Sequence, residues 1–306
     1  MEHEIKNVAL LDLTGAAAAN ALEGVTRIAN VAAILVSESL LPRLSSIALE
    51  KVAATIPIPD GQRVRVFTGQ VTLSGEALGP SPDGVAETLV VTGQLILTSP
   101  VGHVGRNVVV IGQVVAPTGS ETGLGAGLSR LTGQVTYYPY VEGAHVQVRE
   151  GGAMGGEALA NVTGQPTDIL LVTGALVLAS PVDSIGYQHV VVLGDVLVAR
   201  SARTELLGRV LPQGGQIIEY DATPQVFRGD ESLSAGYFEL LDAPITLVIQ
   251  GKCKLEDDIS PALLRQKVAG LVLQGKLTAP RRLLPVLQIV SLARRGKLTA
   301  SDDDAH

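Results

Sequence analysis

The chain repeats itself, and this repetition limits which folds it can adopt. Gly75-Glu76-Ala77-Leu78 recurs 81 residues later as Gly156-Glu157-Ala158-Leu159. Leu89-Val90-Val91-Thr92-Gly93 is matched at the same spacing by Leu170-Leu171-Val172-Thr173-Gly174. Because separate motifs share one offset, we infer an 81-residue internal repeat. Its three copies run over about residues 66–145, 146–225 and 226–300.

A shorter repeat lies inside the long one. Its motif is a glycine, then a polar residue, then an apolar-x-apolar run, as in Thr68-Gly69-Gln70-Val71, Thr92-Gly93-Gln94-Leu95 and Thr132-Gly133-Gln134-Val135. The spacing is mostly 19 to 24 residues, which gives about four units per copy and about fifteen in all. Degenerate versions begin at Asn30 and Glu50, with a candidate first unit at Gly15.

This period favours an all-β fold of stacked units. A unit of about 20 residues cannot bury its own apolar face, whereas stacked units share one core. Aromatic residues make up 3% of the chain and Trp is absent, so the core must be built from aliphatic side chains. The sequence predicts a β-solenoid (β-helix) of about fifteen rungs. The alternative is a β-propeller or another hairpin-based repeat fold, although Thr-Gly is a poor two-residue hairpin turn.

The repeat also divides the chain. Residues 1–57 carry only degenerate units and are expected to form an irregular N-terminal cap. Residues 58–300 hold the regular repeats, and residues 301–306 form an acidic tail.

Composition excludes several classes of protein. A hydrophobic fraction of 46% is too high for intrinsic disorder, and a single cysteine, Cys253, excludes a disulfide scaffold. The apolar residues between Thr88 and Ser120 come in short bursts separated by Gly, which is unlike a membrane-spanning helix. The N-terminus lacks the features of a signal peptide, so we expect a cytoplasmic protein.

No arrangement of residues indicates catalysis. The five histidines form no metal-spaced pair, and no phosphate-binding glycine motif opens a helix. The alternative is a β-helix enzyme acting on carbohydrate, for which Asp168, Asp183, Asp195 and Asp221 are the candidate carboxylates. We therefore expect a protein that is not an enzyme and that uses no cofactor or metal.

Charge placement is the most informative feature for function. Residues 1–249 carry a net charge of −11, residues 250–300 carry +7, and the tail carries −3. This basic segment predicts an assembly interface through charge complementarity between neighbouring molecules. Its residues are Arg281, Arg282, Arg294, Arg295 and Lys297. An anionic membrane or another protein is the alternative partner, and the lack of nearby aromatic residues disfavours nucleic acid.

Units such as Thr92-Gly93-Gln94-Leu95-Ile96-Leu97 resemble those of the bactofilins, bacterial cytoskeletal β-helix proteins that polymerise without nucleotide. The resemblance covers the unit pattern over roughly residues 60 to 300. It implies a β-helix and polymerisation, and it assigns no role to any residue. The function expected from the sequence is a non-enzymatic structural protein that self-assembles into a filament or scaffold by stacking solenoid ends. A monomeric binding scaffold is a further alternative.

Overall fold

The structure is a computed structural model that describes residues 3–202, 206 and 208–301. The three aspartates of the predicted acidic tail therefore lie outside the described residues. Within the described part of the chain, strands dominate and the longest helices have only seven residues. No helix there has the length and apolar character needed to cross a membrane.

The strands group into what we call stacks, in which successive layers of the chain pair in parallel, one over the next. Stack 1 holds β1 (His3–Leu13), β2 (Val25–Ser37) and β3 (Ala48–Ile58). Stack 2 holds β4 (Arg63–Leu73), β5 (Glu87–Leu97), β6 (Asn107–Pro117) and β7 (Leu128–Tyr138).

The second half of the chain forms two more stacks, in which a layer is usually two short strands joined by a corner. Stack 3 holds β8 (Val146–Met154), β9 (Ile169–Leu178), β10 (His189–Val192), β11 (Val196–Ala199), β12 (Val210–Pro212) and β13 (Ile217–Tyr220). Stack 4 holds β14 (Pro224–Phe227), β15 (Asp230–Leu233), β16 (Ile245–Ile249), β17 (Lys252–Leu255), β18 (Val268–Leu273), β19 (Lys276–Ala279), β20 (Ser291–Arg294) and β21 (Lys297–Ala300).

Short helices lie in the connections between layers. The α-helices that lie wholly within the described residues are Ala18–Ala21, Leu41–Leu44, Glu121–Gly127, Ala235–Glu239, Pro261–Lys267 and Leu284–Ile289. The 3-10 helices are Glu38–Leu40, Gly75–Leu78, Gly156–Leu159, Arg200–Ala202 and Arg281–Leu283.

The glycine motif marks a corner where each layer changes direction. In stack 2, Gly93, Gly112 and Gly133 pair in register and have φ of +132°, +139° and +145°. A Cβ at Gly112 would lie 1.8 Å from the carbonyl oxygen of Gly93. Both the positive φ and this close approach require glycine.

Asparagine takes the same corner in stack 1. Asn7 and Asn30 both have φ of +59°, and Lys51 has φ of +51°. Asn is the non-glycine residue that enters this region most readily, whereas Lys enters it at a cost. The candidate first unit at Gly15 is wrong, because the first corner is Asn7 and Gly15 precedes the helix Ala18–Ala21. The segment expected to form an irregular N-terminal cap, residues 1–57, contains the three paired strands of stack 1, separated by short helices and turns.

The motif Gly-Glu-Ala-Leu recurs because it packs the same way twice. It forms a 3-10 helix at Gly75–Leu78 and again at Gly156–Leu159, and both leucines are fully buried. The N–H groups of Gly75 and Gly156 donate to the hydroxyl oxygens of Ser99 and Ser180, at 2.9 and 2.8 Å. These serines begin the repeated Ser-Pro-Val segments, so each motif has its partner in the following layer.

The predicted fold class is wrong. The strands form five separate parallel sheets of three to six strands, and a continuous β-solenoid of fifteen rungs is absent from the described residues. The pairing between layers stops between β3 and β4, between β7 and β8, and between β13 and β14. The hairpin-based alternative is wrong as well, because every described strand pair is parallel.

The chain divides into two compact units, residues 1–139 and 140–306. In the first unit, Ala33, Ile56, Val90 and Val109 share one buried cluster, so stacks 1 and 2 pack side by side. In the second unit, stacks 3 and 4 also pack side by side, and one buried cluster contains Val177, Leu197, Val248 and Val272. The physical reason is that the outer faces of these strands are apolar and bury each other, so stacks 1 and 2 pack laterally, as do stacks 3 and 4.

Candidate functional site

The last layer of stack 4 is an open sheet edge. Among the described strands, β20 pairs only with β18, and β21 pairs only with β19. An edge strand presents unpaired backbone N–H and C=O groups to which another strand can add. We call residues 291–300 the terminal edge.

The predicted basic residues all lie at this edge or in the connection that leads into it. Arg294 ends β20, Arg295 lies in the corner, and Lys297 begins β21. Arg281 and Arg282 begin the 3-10 helix of the preceding connection. All five side chains belong to exposed residues.

Two of the five are engaged within the chain. Arg282 donates to the backbone carbonyl of Asp257. The guanidinium Nη2 of Arg295 lies 2.7 Å from Oδ1 of Asp195, a carboxylate that is 3% exposed. Asp195 also accepts a 3.1 Å hydrogen bond from the backbone N–H of Gln216. Arg295 therefore ties stack 4 to stack 3. Arg281, Arg294 and Lys297 are exposed, and their side chains have no ion-pair partner among the described residues.

Among the described residues, none covers the apolar column of stack 4 where it ends at the terminal edge. Cys253 and Leu277 are buried at 3% and 0%, whereas Leu298, next in the same ladder, is only partly buried. Ile289 and Leu292 are 74% and 43% exposed. A cavity of about 300 Å³ opens beside them, lined by Leu271, Leu287, Gln288, Ser291, Arg294 and Leu298.

One column of stack 4 carries like charges. Lys252, Lys276 and Lys297 occupy the same register position in consecutive layers, and Asp230 occupies it in the first layer. Asp230 Oδ2 lies 3.2 Å from Lys252 Nζ. Like charges directly opposite each other destabilise a strand pair. A carboxylate placed over Lys297 would reduce the repulsion within this column.

A second polar site lies in stack 2, where the sequence predicted nothing. The side chain of Glu87 is 1% exposed and forms an ion pair with Arg106, and its Oε1 lies 3.8 Å from Nε of Arg65. Arg106 also donates a 2.8 Å hydrogen bond to the carbonyl of Gly79. A cavity of about 230 Å³ adjoins this pair. Because Glu87 begins β5 and Arg106 directly precedes β6, we interpret this pair as a link between adjacent layers.

Three of the four candidate carboxylates for a carbohydrate enzyme have separate structural partners. Asp168 accepts from the backbone N–H of Gln165 at 2.9 Å. Asp221 pairs with Arg200 at 2.8 Å, and Asp195 binds Arg295 as described. Asp183 is exposed. No group of three or more His, Cys, Asp or Glu side chains within the described ranges is placed to hold a metal ion.

Cys253 is a packing residue. It is buried, and burial raises the pKa of its thiol to about 11. Its thiolate is therefore scarce at neutral pH, which is the opposite of what a reactive cysteine needs.

Comparison with known proteins found no matching family model, no matching well-characterised protein and no matching solved structure. The case for a function therefore rests on the geometry of the sites above.

Proposed function

We propose that this protein is a non-enzymatic structural protein that associates with copies of itself through the terminal edge. The observation that carries the proposal is a coincidence of three features at or beside one sheet edge. They are strands with no further partner among the described strands, exposed Leu292 and Ile289, and cations with no ion-pair partner among the described residues. Each feature alone is common on protein surfaces. Together they are the features of a sheet edge to which a strand of another molecule can bind. An exposed edge of this kind invites association unless it is blocked.

The charge of the edge favours a protein partner of acidic character. Residues 1–249 carry a net charge of −11, so a second copy of the chain supplies the complementary surface. The terminal edge contains no aromatic residue on which bases could stack, which disfavours single-stranded nucleic acid. A cytoplasmic location is part of the proposal, and the free, buried thiol of Cys253 is compatible with a reducing compartment.

The test is the state of the purified full-length protein across protein and salt concentrations, measured by sedimentation velocity and negative-stain microscopy. We expect assemblies that grow with protein concentration and that shrink as salt rises from about 0.05 to 0.5 M, because salt screens exposed charges. A monomer at every concentration would refute the proposal.

A matched pair of variants locates the interface. Leu292 and Leu49 are 43% and 41% exposed, and they lie in different sheets. Leu292→Lys should abolish assembly, because it removes an exposed apolar side chain from the edge and places a charge where the interface would have to exclude water. Leu49→Lys should leave assembly unchanged. Equal effects of the two variants would show that general surface charge, and not the terminal edge, controls association.

A further inference from the structure

We propose that the terminal edge of one copy pairs, head to tail, with the first layer of stack 4 in a second copy. That first layer is residues 224–233, which we call the leading edge. The inference rests on the proposed self-association and names its second surface. Among the described strands, β14 pairs only with β16 and β15 pairs only with β17, so the leading edge is the other open edge of stack 4. Its residues Asp230, Glu231 and Ser232 are exposed.

The two edges have the same construction. The leading edge is four residues of β14, a corner of Arg228 and Gly229, and four residues of β15. The terminal edge is four residues of β20, a corner of Arg295 and Gly296, and four residues of β21. A second copy can therefore continue the register of stack 4 without a shift.

Gly229 is the most specific sign of a missing neighbour. The later corner glycines of stack 4 are required by the layer before them: a Cβ at Gly251, Gly275 or Gly296 would lie within about 2.1 Å of a carbonyl oxygen of that layer. Gly229 occupies the same register position in the first layer. A Cβ there would meet only Oε1 of Glu231, at 3.3 Å, and its φ lies outside the left-handed region.

Within one copy, then, glycine at 229 is unnecessary. If Gly296 of another copy lay against Gly229, the same close backbone approach would make glycine necessary. The remaining features of the two edges support this arrangement.

The charges of the two edges are complementary in register. Continuing the ladder places Asp230 of the second copy against Lys297, which repeats the 3.2 Å contact of Asp230 with Lys252 inside each chain. The connection after the leading edge carries exposed Glu239 and Asp242. The connection before the terminal edge carries Arg281 and Arg282.

The apolar surfaces also match. The leading edge carries Phe227, whose ring lies edge-on to Tyr237 with centroids 6.1 Å apart, and both residues are only partly buried. If the second copy continues the register of stack 4, its Phe227 lies beside Arg294, which lines the cavity at the terminal edge. A guanidinium over an aromatic ring is a favourable contact. The aromatic pair would cover the cavity that the aliphatic column leaves open.

Because the two edges differ, the contact is heterologous. Repeating it produces an open chain of copies, or a ring if the rotation closes, and it does not stop at a symmetric dimer.

Gly229→Ala tests the close approach. The variant should keep the melting temperature of the unaltered protein, because the added methyl group meets only a flexible side chain. It should weaken self-association at least tenfold, as measured by sedimentation velocity. Gly251→Ala is the matched control and should lower the melting temperature itself. Normal association by a folded Gly229→Ala protein would overturn the proposed pairing.

Two charge reversals test the register. Asp230→Lys places lysine against Lys297 of the next copy, and Lys297→Asp places aspartate against Asp230. Each variant alone should associate at least tenfold more weakly than the unaltered protein, and an equimolar mixture should recover, because both contacts in alternating chains again pair opposite charges. Circular dichroism should show that both variants are folded.

The outcomes separate this inference from the function on which it rests. If the unaltered protein assembles and the mixture does not recover, self-association stands and the head-to-tail pairing falls. If the unaltered protein is monomeric throughout, both fall. Assembly that stops at a dimer also overturns the pairing.

Discussion

Single residues at the corners decide whether a layer can form. The repeated glycine is visible in the sequence. The reason why glycine is required is not, because spacing alone does not distinguish a turn from a close contact between layers. The structure shows that both causes apply to Gly112. Its φ is +139°, and a backbone oxygen of the neighbouring layer occupies the space that a Cβ would need. In stack 1, Asn30 takes the corner with φ of +59°, because a left-handed φ alone does not exclude asparagine.

Gly112→Ala should destabilise the protein by about 3 kcal/mol or more, because a left-handed corner and a steric clash are both penalised. Chemical denaturation followed by circular dichroism measures the change. Gly102→Ala is the control, since Gly102 has no atom within 4 Å of its Cβ position and no left-handed φ. A loss of similar size in both variants would contradict the role assigned to the corner.

Lys51 is the one corner in stack 1 that asparagine does not occupy. Its φ of +51° is costly for a lysine. Lys51→Asn should therefore stabilise the protein by about 0.5–1 kcal/mol. Lys51→Ala keeps the strained conformation and should bring no gain. Thermal unfolding of the three proteins ranks them, and a gain in the alanine variant would point to the charge of Lys51 instead of its backbone.

Cys253 should be unreactive in the folded protein. Burial raises the pKa of its thiol to about 11, so the thiolate is rare at pH 8. A disulfide reagent should label it only after denaturant is added, and labelling in denaturant serves as the control. Rapid labelling of the native protein would show that the core of stack 4 opens at this position.

At the scale of elements, the period of 19 to 24 residues was predictable and the arrangement of stacks was not. The spacing within a copy is the same whether the next copy lies above or beside it. A signal for lateral packing was nevertheless present in runs such as Val108-Val109-Val110-Ile111. Continuous apolar runs are typical of strands buried on both faces, and Val109 indeed belongs to the cluster between stacks 1 and 2.

The candidate site could be predicted only in part, for a similar reason. A run of basic residues can be read from the sequence, but the partners of each one depend on the fold. Asp195 and Arg295 are 100 residues apart in sequence and meet only because stacks 3 and 4 lie side by side.

The internal repeat also misplaces one buried residue. Leu240 aligns with the buried Leu159 at the 81-residue offset, but Leu240 is 86% exposed and Phe238 is the buried residue.

Arg295 should act mainly on stability. Arg295→Gln removes the cation that faces the buried Asp195 and should cost about 1–2 kcal/mol, a figure reduced from that of a buried pair because Arg295 is 51% exposed. Arg294→Gln is the control, should leave the free energy of unfolding within about 0.5 kcal/mol, and should weaken assembly instead. Chemical denaturation and sedimentation of both variants check this division. Identical profiles would contradict it.

At the scale of the whole molecule, two compact units, each with buried clusters of its own, lead us to expect two cooperative transitions. Calorimetry of the full chain should resolve them. Gly112→Ala should lower the transition of residues 1–139, and Gly251→Ala should lower that of residues 140–306. Hydrogen exchange identifies which residues open in each transition. A single transition that both variants shift equally would show that the units unfold as one.

The parallel pairing of consecutive layers has a consequence for how the chain reaches its structure. Each layer finds its partner one short connection away, as Gly93 finds Gly112 nineteen residues later. Parallel sheets are slow to form when their strands are distant in sequence, because a long loop must be closed first. Here the loops are short, so each new layer can be laid on the last in the order in which the ribosome releases them.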